Sequence, residues 1–362
     1  MKISIGSKIV QGPWGGGNLF AINLSNYLKD NGHEVFYDLS DPNLDLILLT
    51  DPRSRSESSS TFNHIEIEKY KALINPNVAV VQRINECDER KNTENINSFY
   101  LNASNVADHV VFVSSWLKNI YVNIGMKEKK TSVILAGANK KIFNLENNEI
   151  WDGTLPIKIV THHWSSHKNK GFDVYKYIDE MTNNEKWKNK ILFTYIGNFN
   201  NDYEFHNTNI VKPLAGKSLS DELKKHHVYV TASINEPSGN HHIEAAQCGL
   251  PILYTESGGI PEYCNGFGLP FNEDFEEKLS EMMLNYDLYL QKLRKYPFNS
   301  DKMCEEFHEL FEKLIFEKQK TKVLFKKGIK GRILLMRNKT VNKIRTNFFT
   351  YIQNFLSSMF RK

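Results

Sequence analysis

Glu236-Pro237-Ser238-Gly239-Asn240-His241-His242-Ile243-Glu244-Ala245-Ala246-Gln247-Cys248-Gly249-Leu250-Pro251 reads as a loop that turns into a helix. The apolar run Val228–Thr231 before it has the length of a buried parallel strand. A second such run, Ile252–Tyr254, follows, and then the turn Ser257-Gly258-Gly259-Ile260-Pro261-Glu262. Strand, helix and strand in this order imply a parallel sheet with a right-handed crossover. Glu236 lies in the loop, Ser238-Gly239-Asn240 opens the helix, and Glu244 sits about one turn into it. Both carboxylates can reach a polyol held at the helix N-terminus, because a carboxylate accepts two hydroxyl protons. The free N–H groups around Gly239 suit a phosphate. One site here can hold a sugar, a diphosphate and a ribose. Taken alone, an acidic residue near a helix start more commonly serves the helix dipole.

The same alternation extends outward. In the first half, Lys2–Ile5, Glu34–Tyr37, Leu44–Thr50, Val78–Arg83, His109–Val113 and Ser132–Leu135 read as strands. Leu19, Ile22, Leu24, Tyr27 and Leu28 recur at helical spacing until Asn31-Gly32 stops them. In the second half, Ile157–Thr161 and Ile191–Ile196 join the two strands already named, with helical patterns at Phe172–Met181, Ser220–Lys225 and His242–Cys248. The fold class is α/β: two Rossmann-like domains, residues 1–150 and 151–300, facing across a cleft. A helix over 301–317 is expected to cross back to the first domain, and 318–362 form a basic tail.

Two further loops carry chemistry. Gly12-Pro13-Trp14-Gly15-Gly16-Gly17-Asn18 joins the first strand to the first helix. Gly15, Gly16 and Gly17 let backbone approach a ligand, and the helix start offers N–H groups to an anion. Phe20 stands where a GxGxxG fingerprint needs its third glycine, so a dinucleotide site is weakly supported. Thr161-His162-His163-Trp164-Ser165-Ser166-His167-Lys168-Asn169-Lys170-Gly171 follows the first strand of the second half, at a sheet edge where open α/β folds bind ligands. Lys170 is placed to neutralise a diphosphate as a point charge. The three histidines lack a neighbouring carboxylate in sequence, and no metal site is expected.

Glu236 and Glu244, separated by seven residues, then Ala245-Ala246-Gln247-Cys248-Gly249-Leu250-Pro251 and Gly258-Gly259-Ile260-Pro261-Glu262, resemble the donor-site signature of retaining GT-B glycosyltransferases (glycosyltransferase family 4). Leu219-Ser220-Asp221-Glu222-Leu223 and the strand ending in Ala232-Ser233 fall in the expected order. The likeness is strong over Leu219–Glu262, moderate at Lys170-Gly171 and at Gly15–Gly17, and loose over residues 1 to about 316. It implies that Glu236 contacts hydroxyls of the transferred sugar and places the anomeric carbon. Glu244 would hold the ribose, and amides near Ser238, Gly239 and Asn240 together with Lys170 would carry the diphosphate. The Gly16-Gly17 loop would close over the donor and face the acceptor, and no metal ion or other cofactor would be needed. Two departures stand out. Where the family often has an Arg about five residues before the lysine, this chain has His163-Trp164-Ser165, so Lys168 would substitute or a phosphate contact is lost. Where many members place a first-domain His, it reads Gln82-Arg83-Ile84-Asn85-Glu86-Cys87-Asp88-Glu89-Arg90, and Arg83 or Asn85 would take that position.

Composition sets the remaining bounds. The 362 residues are 40% hydrophobic and 24% charged, as in ordinary globular proteins. No apolar leader opens the chain and no apolar run reaches the ~18 residues of a membrane span. Four scattered cysteines argue against a zinc ribbon or a disulfide scaffold. The net charge of +4 hides an asymmetry: 318–362 carry 13 basic and no acidic residues, and the remainder 33 basic and 42 acidic. Phe325, Ile329, Ile333 and then Val341, Ile344, Phe348, Ile352, Phe355 and Met359 recur near helical spacing among these charges. A basic amphipathic helix of this kind suits an anionic membrane surface rather than nucleic acid. The expected protein is a cytoplasmic, membrane-peripheral hexosyltransferase. It would take a nucleotide-sugar donor and a glycan or lipid-linked acceptor of surface polysaccharide or glycolipid assembly. A nucleotide-sugar epimerase on the same scaffold, or a non-catalytic sugar-nucleotide-binding subunit, are the alternatives.

Overall fold

The computed structural model describes residues 1–10, 12, 15–53, 60–199, 202–321, 323–324 and 328–343. Its first unit holds six strands: β1 (Lys2–Ile5), β2 (Glu34–Phe36), β3 (Leu46–Leu49), β4 (Ala79–Ile84), β5 (His109–Phe112) and β6 (Thr131–Val133). They pair in parallel in the order β2-β1-β3-β4-β5-β6. The second unit holds β7 (Ile157–His163), β8 (Ile191–Gly197), β9 (Asn209–Val211), β10 (Val228–Thr231), β11 (Ile252–Thr255) and β12 (Gly268–Phe271), again parallel, in the order β12-β11-β10-β7-β8-β9. Every residue of β3 and β4 is buried, because helices cover both faces of a parallel sheet.

The helices of the first unit are α1 (Gly15–Asp30), α2 (His64–Leu73), α3 (Asp88–Lys91), α4 (Ile96–Ala103) and α5 (Ser115–Asn123). Those of the second are α6 (Phe172–Met181), α7 (Gly216–Leu223), α8 (Asn240–Gln247), α9 (Ile260–Cys264), α10 (Phe275–Leu284) and α11 (Tyr286–Leu293). Two edge strands, β9 and β12, go beyond the sequence reading. β9 is three residues long and half exposed, so it has no apolar run to betray it. β12 contains Gly268 and Pro270, and proline is tolerated at an edge where no second ladder is needed. The start of α2, also unread, did carry a signal: Asn63 and Glu66 form a reciprocal capping box.

The chain leaves β10 toward β11 and β12 but left β7 toward β8 and β9. This reversal opens a crevice between the loops that follow β7 and β10, the place where open α/β sheets bind ligands. In the first sheet the reversal lies between β1 and β3, and the glycine-rich loop follows β1.

After the second unit, α12 (Ser300–Lys320) returns to the first. Met303, Cys304, Phe307, Phe311 and Leu314 bury themselves with Ile3, Ile5, Leu24, Leu28 and Val81, and the Phe307 ring lies 5.1 Å from that of Phe20. A last helix, α13 (329–343), rests on the first unit. Leu334 and Leu335 pack against its core, and Asn338 donates to the Leu39 carbonyl at 3.1 Å. Ile329, Ile333 and Met336 stay 77%, 56% and 61% exposed. The apolar stripe expected from the sequence at Ile329 and Ile333 is therefore not the face that packs. Phe325 and residues 344–362 lie outside the described residues, as do Pro13 and Trp14. Among the described residues no helix is long and apolar enough to cross a membrane.

Candidate functional site

Lys170 and Glu236 meet in the crevice of the second sheet. β7 runs two residues further than its apolar run suggests, to His163, and a single 3₁₀ turn then carries Lys168–Lys170. Gly171 ends that turn at φ +87°, and a Cβ there would sit 2.3 Å from the Ala232 carbonyl oxygen. Only glycine lets the turn press so closely on the end of β10. On the opposite wall, the Asn235 N–H donates to Ser257 Oγ at 2.8 Å and the Gly259 N–H to the Glu236 carbonyl at 2.9 Å. A Cβ on Gly258 would strike the Glu236 carbonyl oxygen at 2.4 Å. Pressed from both sides, the Lys170 ammonium donates to Glu236 Oε2.

The second cation on Glu236 comes from the first unit. Arg90, on α3, places Nε 3.5 Å from Glu236 Oε1. Its Nη1 rests between the two oxygens of Glu86, at 3.4 and 3.3 Å. Lys91 lies 3.5 Å from Glu86 on the other side. Lys168 is exposed and, among the described residues, is not paired with Glu236. Glu236 is only 6% exposed. Burial by itself pushes its carboxyl up, but Lys170 and Arg90 outweigh that and hold it well below the usual carboxylate range. Glu236 in turn raises Arg90.

Glu244 is buried on α8, and its Oε2 lies 3.0 Å from His162 Nε2. His162, His163, His241 and His242 form one buried aromatic group beneath the crevice, with His163 and His241 ring centres 4.7 Å apart. His163 Nε2 pairs with the Tyr175 hydroxyl at 2.7 Å and His241 Nε2 with Thr231 Oγ1 at 2.8 Å. Burial and the nearby cations hold His163 and His241 well below the ordinary imidazole value and bring His242 down to about 3. His167 stands apart and accepts the Asn169 N–H at 3.3 Å. Among the described residues no three histidine, cysteine or carboxylate side chains converge as metal ligands do. His162 Nδ1, His242 Nε2 and Ser233 Oγ are buried without a hydrogen-bond partner.

Ser238 and Gly239 precede α8, and Asn240 begins it. A Cβ on Gly16 would lie 3.1 Å from the Asn240 amide, so the first turn of α1 meets the start of α8 across the cleft. Gly15 and Gly17 flank that contact in α1, and Asn18 closes the loop behind it by bonding both the N–H and the carbonyl of Val10, at 2.9 and 2.7 Å. Arg83 lies at the end of β4, 5% exposed, with its guanidinium carbon 4.0 Å from the Phe20 ring centre. Burial brings it down to about 10, and the ionisable groups that face it are the phenols Tyr263 and Tyr100. Among the described residues no hydrogen bond or ion pair joins it to Lys170 or Glu236. Glu262, part of the sequence signature, serves structure: its carboxylate accepts the N–H groups of Ser115 and Trp116 at 2.9 and 3.0 Å, capping α5 from the other unit. Arg90 is the residue that the sequence did not single out, and His162, weighed there only as a metal ligand, pairs with Glu244 instead.

Residues 173–285 match the family model described as glycosyl transferases group 1. A 72-residue stretch is 33% identical to the phosphatidylinositol N-acetylglucosaminyltransferase gpi3 subunit of Schizosaccharomyces pombe, and spans 19% of this chain and 16% of that protein. The fold is similar to that of WaaG, a glycosyltransferase involved in lipopolysaccharide biosynthesis (TM-score 0.59, 13% identity, 86% of this chain and 99% of that one). It is also similar to Anabaena HepE in complex with UDP-glucose (TM-score 0.56, 12% identity, 89% and 100%). Two parallel six-stranded sheets joined in this way have the GT-B fold, and the second of them carries a glycosyl transferases group 1 domain.

Proposed function

We propose that this chain is a retaining, metal-independent glycosyltransferase. It moves a hexose-type sugar from a nucleotide diphosphate sugar to a hydroxyl of a glycan or lipid-linked acceptor in surface polysaccharide or glycolipid assembly. One observation carries the reading: Glu236, ionised and buried, is held by Lys170 beside the start of α8. A carboxylate and an ammonium at one helix start are complementary to a sugar joined to a diphosphate. When donor enters, Lys170 exchanges the carboxylate for phosphate oxygens, and Glu236 turns its lone pairs to sugar hydroxyls. Amides around Ser238, Gly239 and Asn240 share the phosphate charge. Glu244, kept in place by His162, takes the ribose hydroxyls. Catalysis then rests on positioning and on stabilising the departing nucleoside diphosphate.

The acceptor side is assigned to the Gly15–Gly17 turn and Arg83. The name of the fission-yeast relative places that enzyme's acceptor on phosphatidylinositol, and the tail favours a lipid-linked acceptor here too. Exposed Ile329, Ile333 and Met336 stand among Lys330, Arg332 and Arg337, as an amphipathic helix at the inner face of a cell membrane would have them.

A thermal-shift panel of UDP-, GDP- and ADP-sugars, with and without EDTA, tests the donor site. Ligand at about 100 times its Kd stabilises by about 2.7 kcal/mol, several degrees of Tm. One nucleotide class should stabilise the wild type equally in EDTA, and Glu244→Ala should abolish that shift. No shift with any class, or an undiminished shift in Glu244→Ala, would sink the proposal.

A further inference from the structure

We infer that Arg90 supplies the second cation for the donor diphosphate, so that a residue of the first unit completes a site otherwise built by the second. The inference rests on the donor-site reading above and adds to it a residue from the first unit.

Four observations converge. Lys170 and Arg90 are directed at the two oxygens of one carboxylate, Lys170 at Oε2 and Arg90 at Oε1 of Glu236. A group that enters beside Lys170 therefore comes within reach of Arg90. The guanidinium is only partly used: Nη1 is held by Glu86, Nε leans on Glu236 at 3.5 Å, and Nη2 has no partner among the described residues. The short helix that bears it is pinned to both donor loops. Asn169, next to Lys170, donates from Nδ2 to the Arg90 carbonyl at 2.9 Å, and Asn235, next to Glu236, donates from Nδ2 to the Glu89 carbonyl at 3.1 Å. The charges also leave room for an anion. Glu86, Arg90, Lys91, Lys170 and Glu236 form one ionic cluster with three cations and two carboxylates.

The chemistry of the two cations differs. Lys170 is a point charge that follows any oxygen, whereas the planar fork of Arg90 can grip two phosphate oxygens at once. In the ligand-free molecule Glu236 keeps both cations in place. A diphosphate takes both over and releases Glu236 to the sugar. Among the described residues the second unit presents one cation to Glu236, Lys170, and the second comes from Arg90 across the cleft.

The test is calorimetry of UDP, GDP and ADP and of the matching monophosphates, on wild type, Arg90→Gln, Arg90→Lys and Lys170→Ala. For the base that binds, Arg90→Gln should weaken the diphosphate tenfold or more and the monophosphate far less, so their affinity ratio collapses. Arg90→Lys, which keeps the charge and loses the fork, should fall between. A merely structural role for Arg90 would weaken both nucleotides alike, and an unchanged ratio in Arg90→Gln overturns the inference. If Lys170→Ala collapses the ratio and Arg90→Gln does not, only the role of Arg90 fails. If neither changes it, or no diphosphate binds the wild type, the donor-site reading fails with it.

Discussion

The crevice after β7 and β10 and the crevice after β1 and β3 occupy equivalent places in two parallel sheets, yet they are furnished in opposite ways. The second sheet's crevice is polar and paired: the Lys170 ammonium is matched by the Glu236 carboxylate, and Glu244 is hydrogen-bonded to His162. The first sheet's crevice is mostly backbone, a glycine turn, and the cation beside it, Arg83, has an aromatic ring rather than an acid for company. A compensated site is stable while empty and can be built in advance. An uncompensated buried cation costs stability until an anion arrives. On the proposed function, the contrast is that of a donor crevice charged in advance and an acceptor face completed by its ligand.

Removing one charge from each crevice should show the largest difference. Glu236→Ala leaves the largely buried Lys170 ammonium without its carboxylate and Arg90 with Glu86 alone, and should cost about 3–5 kcal/mol in urea unfolding along with sugar transfer. Arg83→Met removes a cation that has no acid partner, and should leave the free protein as stable as the wild type or more so. Equal destabilisation by the two substitutions would erase the distinction.

Acid should act next, through the histidines beneath the donor crevice. His163, His241 and His242 are held below the ordinary imidazole value, so the unfolded chain binds their protons first. Stability should be full above pH ~6.5 and fall below it, by up to about 1.4 kcal/mol per pH unit for each of the three. Glu236 has the opposite charge but the same direction: its depressed carboxyl contributes above the unfolded value near ~4.3 and loses that contribution in stronger acid. Urea midpoints from pH 7 to 5 should drop steeply in the wild type and less in His241→Gln. A flat wild-type profile would mean that the histidines do not stay neutral.

The smallest effect is expected on α13, which rests on the first unit. Deleting the whole tail would strip Leu334 and Leu335 from a core, so the exposed face is the better target. Ile329→Ser, Ile333→Ser and Met336→Ser together should leave the melting temperature unchanged and reduce co-sedimentation with phosphatidylserine vesicles at low salt. Undiminished vesicle binding would remove the exposed face of α13 from the membrane reading.

Much of this was legible in the chain itself. The inner strands of the two sheets, β1, β3, β4 and β5 in the first and β7, β8, β10 and β11 in the second, announce themselves as apolar runs, because burial on both faces of a parallel sheet permits little else; the edge strands β2 and β6, also read as strands, are only partly buried. Lys170-Gly171 and the Glu236–Glu244 segment were readable for a related reason. A tight turn, a helix start and the residues they aim are set by neighbours a few positions away. Of the edge strands, β9 was not legible because exposed pairing needs no apolar pattern, and β12 because Gly268 and Pro270 interrupt its short buried run.

The tertiary structure alone decided the rest. Arg90 is 146 residues from Glu236 in the chain, and nothing near Cys87-Asp88-Glu89-Arg90-Lys91 marks it as more than a surface charge. It meets Glu236 because Asn169 and Asn235 fasten α3 to the donor loops. Glu262 became a cap for α5, and His162 a support for Glu244, by the same route. Helix and strand preferences act along a few residues of backbone, whereas electrostatic pairing depends on distance in space. The sequence could therefore name the elements and their loops, and only the packing of the two units could choose the partners.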